Sequence, residues 1–201
     1  MFSWAALAVV AFAQETDTRK ILVAFGDSIS AGYGVSREQS YPAQLQKKID
    51  MAGLKWRVVN MGISGDTTQG GVSRMGSAIK RMPSIVLIEL GGNDALRGLP
   101  LDMSSQNLQA MISASQQAGA QVLLVGMQVP PNYGPDYARQ FSEMFVQLAQ
   151  KNKVPRVPFL LQGLTDGPDI QRWFQADRIH PNASAQSRML DNVWLELKKL
   201  L

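Results

Sequence analysis

The chain has no cysteine and a single histidine among 201 residues. The first absence excludes a disulfide framework, a thiolate metal site and a lipid-modified N-terminal cysteine. The second means that neutral-pH acid/base chemistry by an imidazole can fall only to His180, since imidazole alone has an unperturbed pKa between pH 5 and 8. Charge is sparse too: 18% of residues are charged and the formal net charge is +4, from Lys and Arg scattered along the chain. Scattered basicity of this size serves solubility and gives no footprint for nucleic acid. Internal repeats, low-complexity tracts and an interdomain linker are also missing. At this length, with 45% hydrophobic residues, one domain with a sizeable core is expected.

Residues 1–13 are uncharged, strongly apolar and end in Ala11-Phe12-Ala13. Being too short to span a bilayer, they are predicted to be a secretory signal peptide cleaved after Ala13, although the usual basic start is missing. An uncleaved apolar anchor is the alternative. The remainder, residues 14–201, is expected to be a single domain, periplasmic or secreted, without stable membrane insertion.

Short apolar runs alternate with helical patterns in that remainder. Ile21–Phe25, the neighbourhood of Val58-Val59, Ile85–Ile88 and Val122–Val125 have the composition of buried parallel strands. A fifth strand at Val154–Phe159 is pushed to an edge by Pro155 and Pro158. Between the strands, Leu45, Ile49 and Ala52 share a helical face that stops at Gly53. Leu108, Met111 and Ile112 form a second stripe, Phe141, Met144, Phe145 and Leu148 a third, and Met189, Leu190, Val193, Trp194 and Leu197 a fourth. Trp173 and Phe174 read as core. The alternation predicts an α/β fold, an open and mostly parallel five-stranded sheet with helices on both faces. In such folds ligands sit outside the carboxyl ends of the strands.

Polar clusters follow those ends. The first strand runs into Gly26-Asp27-Ser28, where glycine permits a sharp turn that presents a serine, or where Asp and Ser merely cap a helix. Gly32 and Gly34 also allow a phosphate-cradling loop, though without a recognised phosphate pattern. The second strand leads to Gly62-Ile63-Ser64-Gly65-Asp66, a tight turn with N–H groups for an oxyanion or for a cap. The third ends in Gly91-Gly92-Asn93-Asp94, where Asn93 offers a side-chain N–H or closes an Asx turn. Asp177 lies three residues before His180 on a proline-ended loop, so it can hold one ring nitrogen and leave the other free. A parallel sheet converges these segments on one edge. Together they supply a hydroxyl nucleophile, a base, an orienting carboxylate and oxyanion donors, the needs of acyl transfer.

The ordered blocks Gly26-Asp27-Ser28, Ile63–Asp66, Gly91–Asp94 and Asp177–Asn182 resemble the SGNH (GDSL) hydrolase superfamily. More narrowly, Gly26–Tyr33, Gly98 after Leu96-Arg97, and Pro131–Gly134 resemble its bacterial thioesterase I/lysophospholipase L1 and arylesterase group. The resemblance implies a three-layer αβα, flavodoxin-like fold. It also implies a catalytic triad of Ser28, Asp177 and His180, and an oxyanion hole from the Ser28 N–H, the Gly65 N–H and Asn93. By the same likeness Leu96, Leu99, Pro130 and Tyr133 line an acyl groove. Glycine is the commonest residue between the Asp and Ile of the last block, where this chain has Arg178, which puts the charge at the pocket mouth and the substrate range in question. The implied activity is hydrolysis of acyl esters, thioesters or lysophospholipids by a monomer without metal or cofactor. A carbohydrate acetylesterase of the same superfamily and a non-catalytic flavodoxin-like binding domain are the alternatives.

Overall fold

A computed structural model describes residues 17–167 and 169–201; the predicted signal peptide lies outside the described residues. Five parallel strands, β1 (Lys20–Gly26), β2 (Trp56–Asn60), β3 (Ile85–Glu89), β4 (Gln121–Val125) and β5 (Arg156–Val157), form one sheet in the order β2-β1-β3-β4-β5. The short α1 (Ser28–Ala31) follows β1 and leads to α2 (Tyr41–Met51), while α3 (Thr68–Ile79) follows β2. After β3 come α4 (Gly92–Leu96) and α5 (Leu101–Gln117); α6 (Pro135–Asn152) follows β4, and α7 (Gln186–Leu197) ends the chain. β5 is two residues long and lies at the sheet edge, hemmed by Pro155 and Pro158, which lack the N–H a ladder needs.

The period of two along each strand sends alternate residues to opposite layers. Val23, Phe25, Val86, Ile88, Val122 and Leu124 pack with Met75 of α3, Leu108, Met111 and Ile112 of α5, and Phe141, Phe145 and Leu148 of α6. Leu22, Ile85, Leu87, Leu123 and Val125 pack with Tyr41, Leu45 and Ile49 of α2 and Met189, Val193 and Leu197 of α7. The expected three-layer sandwich is therefore present, and each fully buried large side chain adds about 1.5–3 kcal/mol. Phe141 and Phe145 also meet edge to face at 5.3 Å. One detail differs from the sequence pattern: Ala52 is exposed, because α2 ends at Met51 and the chain turns through Gly53 at φ 69. Trp173 and Phe174 are only partly buried against the α2/α7 layer.

The strand order gathers the polar clusters. β1 lies between β2 and β3, so the loops after three adjacent strands are neighbours at the carboxyl edge. In the β1/β3 register Gly26 stands beside Glu89, and in the β1/β2 register Ala24 stands beside Asn60.

Candidate active site

Ser28 opens α1 directly beyond β1 and is buried, with 6% of its surface exposed. Asp27 caps that helix: its Oδ1 accepts from the Ile29 N–H at 3.0 Å. The cap reading of the Gly-Asp-Ser block falls to Asp27, and the Ser28 hydroxyl is left free of the cap. Gly32, at φ 78, ends the short helix, and its N–H bonds the Ser28 carbonyl at 3.1 Å.

The late loop brings Asp177 and His180 to Ser28. His180 Nε2 lies 2.9 Å from Ser28 Oγ and His180 Nδ1 lies 2.7 Å from Asp177 Oδ2. Asp177 Oδ1 accepts from the Ile179 N–H at 2.9 Å and the His180 N–H at 3.0 Å. The bonds from His180 and Ile179 hold the Asp177 carboxyl down at about 2. An ionised carboxylate only accepts, so in the neutral ring the single proton belongs on Nδ1 and Nε2 is left as acceptor for the serine hydroxyl. The Tyr33 ring lies over the imidazole, centroids 4.5 Å apart. Gln175 ties the loop down, its N–H to the His180 carbonyl at 2.8 Å and its amide to the Tyr33 carbonyl at 2.7 Å. Arg178, between the two site residues, is exposed and takes φ 59, the left-handed region.

The donor loops flank the same turn. The Ile63 N–H bonds the Gly26 carbonyl at 3.0 Å, which sets the Gly62–Asp66 turn beside the start of α1. Gly65 takes φ 77, a conformation favouring glycine, and its carbonyl accepts from Arg97 Nη2 at 2.8 Å. On the other side Asn93 Nδ2 donates to Asp27 Oδ2 at 3.0 Å, so Asn93 is not confined to an Asx turn. Among the described residues the N–H groups of Ser28 and Gly65 have no protein acceptor. They remain available to a ligand oxygen.

Several groups that hold the site carried little signal in the sequence. Arg74, on α3, donates to Asp66 at 2.6 Å, to the Met61 carbonyl at 2.7 Å and to the Gly26 carbonyl at 2.9 Å, and covers the Phe25 ring at 3.8 Å. Asp94 is buried and accepts from the Thr68 N–H at 2.8 Å, the Thr68 hydroxyl at 2.5 Å and the Ser104 hydroxyl at 3.2 Å, which joins α4 to α3 and α5. Glu89, fully buried at the end of β3, accepts from Ser30. Its only sequence signal was a charge closing an apolar strand.

The groove residues expected from the sequence lie on two segments after β3 and β4. Leu96 ends α4 and is 42% exposed, and Leu99 is half-buried in the loop beyond it. Pro130 is exposed, and Tyr133 closes a short 3-10 turn with its ring 6.2 Å from that of Tyr137. The small cleft at Ser28 is lined instead by Ile29, Gly32, Tyr33, His180, Pro181 and Gln186.

Residues 24–188 match the GDSL-like lipase/acylhydrolase family, and the chain belongs to it. It is 45% identical over 196 residues to the esterase TesA of Pseudomonas aeruginosa, covering 97% of this chain and 96% of that one. It is 39% identical to the thioesterase 1/protease 1/lysophospholipase L1 of Escherichia coli K12, over 90% of this chain and 84% of the other. A crystal structure of TesA superposes with a TM-score of 0.87 at 45% identity, covering 90% of this chain and all of that one.

Proposed function

We propose that the protein is a serine esterase that hydrolyses acyl esters and thioesters through an acyl-Ser28 intermediate. The observation that carries this reading is the continuous path from Asp177 Oδ2 through His180 to Ser28 Oγ, with contacts of 2.7 and 2.9 Å. In this mechanism His180 Nε2 takes the Ser28 proton as Oγ bonds to the acyl carbon. Asp177 holds the ring and stabilises the imidazolium. The carbonyl oxygen becomes an oxyanion that receives the Ser28 N–H, the Gly65 N–H and an Asn93 amide hydrogen. Collapse breaks the bond to the leaving alcohol or thiol, which takes the proton from His180. A water, deprotonated in turn by Nε2, then attacks the acyl-serine, and the carboxylic acid and free Ser28 are released.

The relatives' names, an esterase and a thioesterase/lysophospholipase, support lysophospholipids, aryl esters and acyl thioesters as substrates. Leu96, Leu99, Pro130 and Tyr133 are assigned to the acyl chain, because they follow the strands whose ends flank the site. Residues 1–13 act as an export signal, and the mature enzyme works as a periplasmic or secreted monomer. Among the described residues no helix is long and apolar enough to cross a membrane.

The test is a p-nitrophenyl ester series from C2 to C12 on wild type and Ser28→Ala. Turnover of several chain lengths that vanishes in Ser28→Ala supports the assignment. Hydrolysis surviving in that variant overturns it, and activity confined to acetate favours a carbohydrate acetylesterase.

A further inference from the structure

Beneath the site lies a second carboxyl group that the acyl-transfer mechanism does not use. Glu89 is fully buried, and a single oxygen, Oε2, accepts from the Asp27 N–H at 3.3 Å, the Ser30 N–H at 3.2 Å and the Ser30 hydroxyl at 2.7 Å. The Tyr41 hydroxyl reaches Ser30 Oγ at 2.6 Å, so a chain of O–H donors runs from α2 through α1 to the same oxygen. These contacts bracket Ser28 on both sides and come from backbone as well as side chain. The turn that presents Ser28 is thus gripped from below by the neighbouring strand. Gly26 is part of the same arrangement, since a Cβ there would collide with Glu89 Oε2 and Ser30 Oγ.

The other Glu89 oxygen, Oε1, is buried and has no hydrogen-bond partner among the described residues. A charged carboxylate left in that state is costly, whereas a neutral acid is tolerated far better. The ionisable groups whose charge acts on or is felt from Glu89 are the Asp27 carboxylate at the start of α1 and the Tyr41 hydroxyl on α2; Arg74, from α3, spends its donors on Asp66, Met61 and Gly26. Asp27 holds two donors, the Ile29 N–H and the Asn93 amide, one on each oxygen. Glu89 draws three donors to Oε2 and none to Oε1, so of the two carboxyls it is the one that would bury a bare charged oxygen.

We propose that Glu89 is a positioning residue for the nucleophile, a neutral carboxyl that fixes the Ser28 turn while Asp27 carries the pair's negative charge and aims Asn93. Burial first, and the nearby Asp27 carboxylate second, push the Glu89 carboxyl well above its usual 4.5. Burial also pushes Asp27 up, to about 6, against the pull of its two donors. The catalytic half of this inference rests on Ser28 being the nucleophile; the protonation half does not.

The experiment compares Glu89→Gln and Glu89→Ala with wild type in two measurements. In kinetics on p-nitrophenyl acetate, Glu89→Gln, which keeps an acceptor and stays uncharged, should hold kcat within about threefold. Glu89→Ala should lower kcat by up to about 10²-fold, the effect of a displaced reacting group, with KM nearly unchanged. In urea unfolding from pH 4 to 8, the sign follows from the raised folded pKa. The proton's contribution is complete below about 4.5, the unfolded value, and is lost as pH rises towards the folded one, because the unfolded chain releases it first. Glu89→Gln should then match wild type at pH 4 and gain on it steadily towards pH 8. Loss of kcat in Glu89→Gln as deep as in Glu89→Ala, or full kcat in a folded Glu89→Ala, overturns the positioning role. A stability difference between wild type and Glu89→Gln that does not change with pH overturns the neutral carboxyl. The unfolding result stands whatever Ser28→Ala does, so a failure here is distinct from a failure of the proposed function.

Discussion

Asn93 gives one amide hydrogen to Asp27 Oδ2 at 3.0 Å, which fixes the amide plane and leaves the second hydrogen for a ligand. The helix cap of α1 and the orientation of the Asn93 amide, the proposed oxyanion donor, therefore depend on one carboxylate. Asn93→Ala is expected to lower kcat by about 10²–10³-fold, or about 3 kcal/mol. Asp27→Ala should lose part of the same quantity and, through the lost cap, about 1 kcal/mol of stability. Because the two act as a unit, the double variant should show kcat no lower than the sum in free energy of one full and one partial loss would suggest, and closer to Asn93→Ala alone. Steady-state kinetics on the four proteins measures this.

Asp177 keeps its charge down to about pH 2. The low-pH limb of kcat/KM should then have a slope of one proton, with no second step from Asp177 above that range. Asp177→Asn should reduce kcat by about 10³–10⁴-fold, since an amide cannot select the Nδ1–H form of the ring. The linkage has the opposite sign to that of Glu89. A depressed folded pKa stabilises above the unfolded value of 3.8, and that contribution is lost as pH falls towards 2. Acid unfolding of Asp177→Asn should accordingly be shallower over that range.

Arg178 holds φ 59, and among the described residues its side chain makes no hydrogen bond or ion pair. A residue with a Cβ in that region is strained by about 1–2 kcal/mol, of which glycine returns part as greater freedom of the unfolded chain. Arg178→Gly is expected to stabilise by about 0.5–1 kcal/mol, a Tm rise of roughly 1–4 °C at this size, with the Asp177–His180 contact intact. Calorimetry with kinetics on neutral esters checks both parts, and kcat should stay within about twofold of wild type.

Gly26→Ala places a methyl 2.8 Å from the Glu89 carbonyl oxygen and into the Glu89 and Ser30 side chains. None of these atoms is the free end of a flexible chain, since all are buried and bonded. A loss of about 1–3 kcal/mol or more, together with a large fall in kcat, is expected in urea unfolding and ester assays.

The strands, the stripes of α2, α5, α6 and α7 and the edge position of β5 were legible because burial imposes a period and a composition on sequence. Ser28, Gly65 and Asn93 could be read as residue types after strand ends and Asp177 with His180 as a spaced pair on a late loop, and resemblance to a family named them together. Glu89, Arg97, the Asp27 contact with Asn93 and the Arg74 contact with the Gly26 carbonyl were not, because their partners are distant along the chain. Glu89 and Ser30 are 59 residues apart and meet only through the β1/β3 register. The strain at Arg178 is likewise a property of one backbone angle, which a sequence does not display.

Neighbouring β-strands stand about 4.8 Å apart whatever side chains they carry. Ser28, Gly65 and Asn93 each follow one of three adjacent strands, so the width of the proposed oxyanion site is gauged by the length of a peptide hydrogen bond. Loops at this edge can change in length and chemistry, and with them the acyl groups admitted, while the ruler against which the reacting carbonyl is measured stays the same.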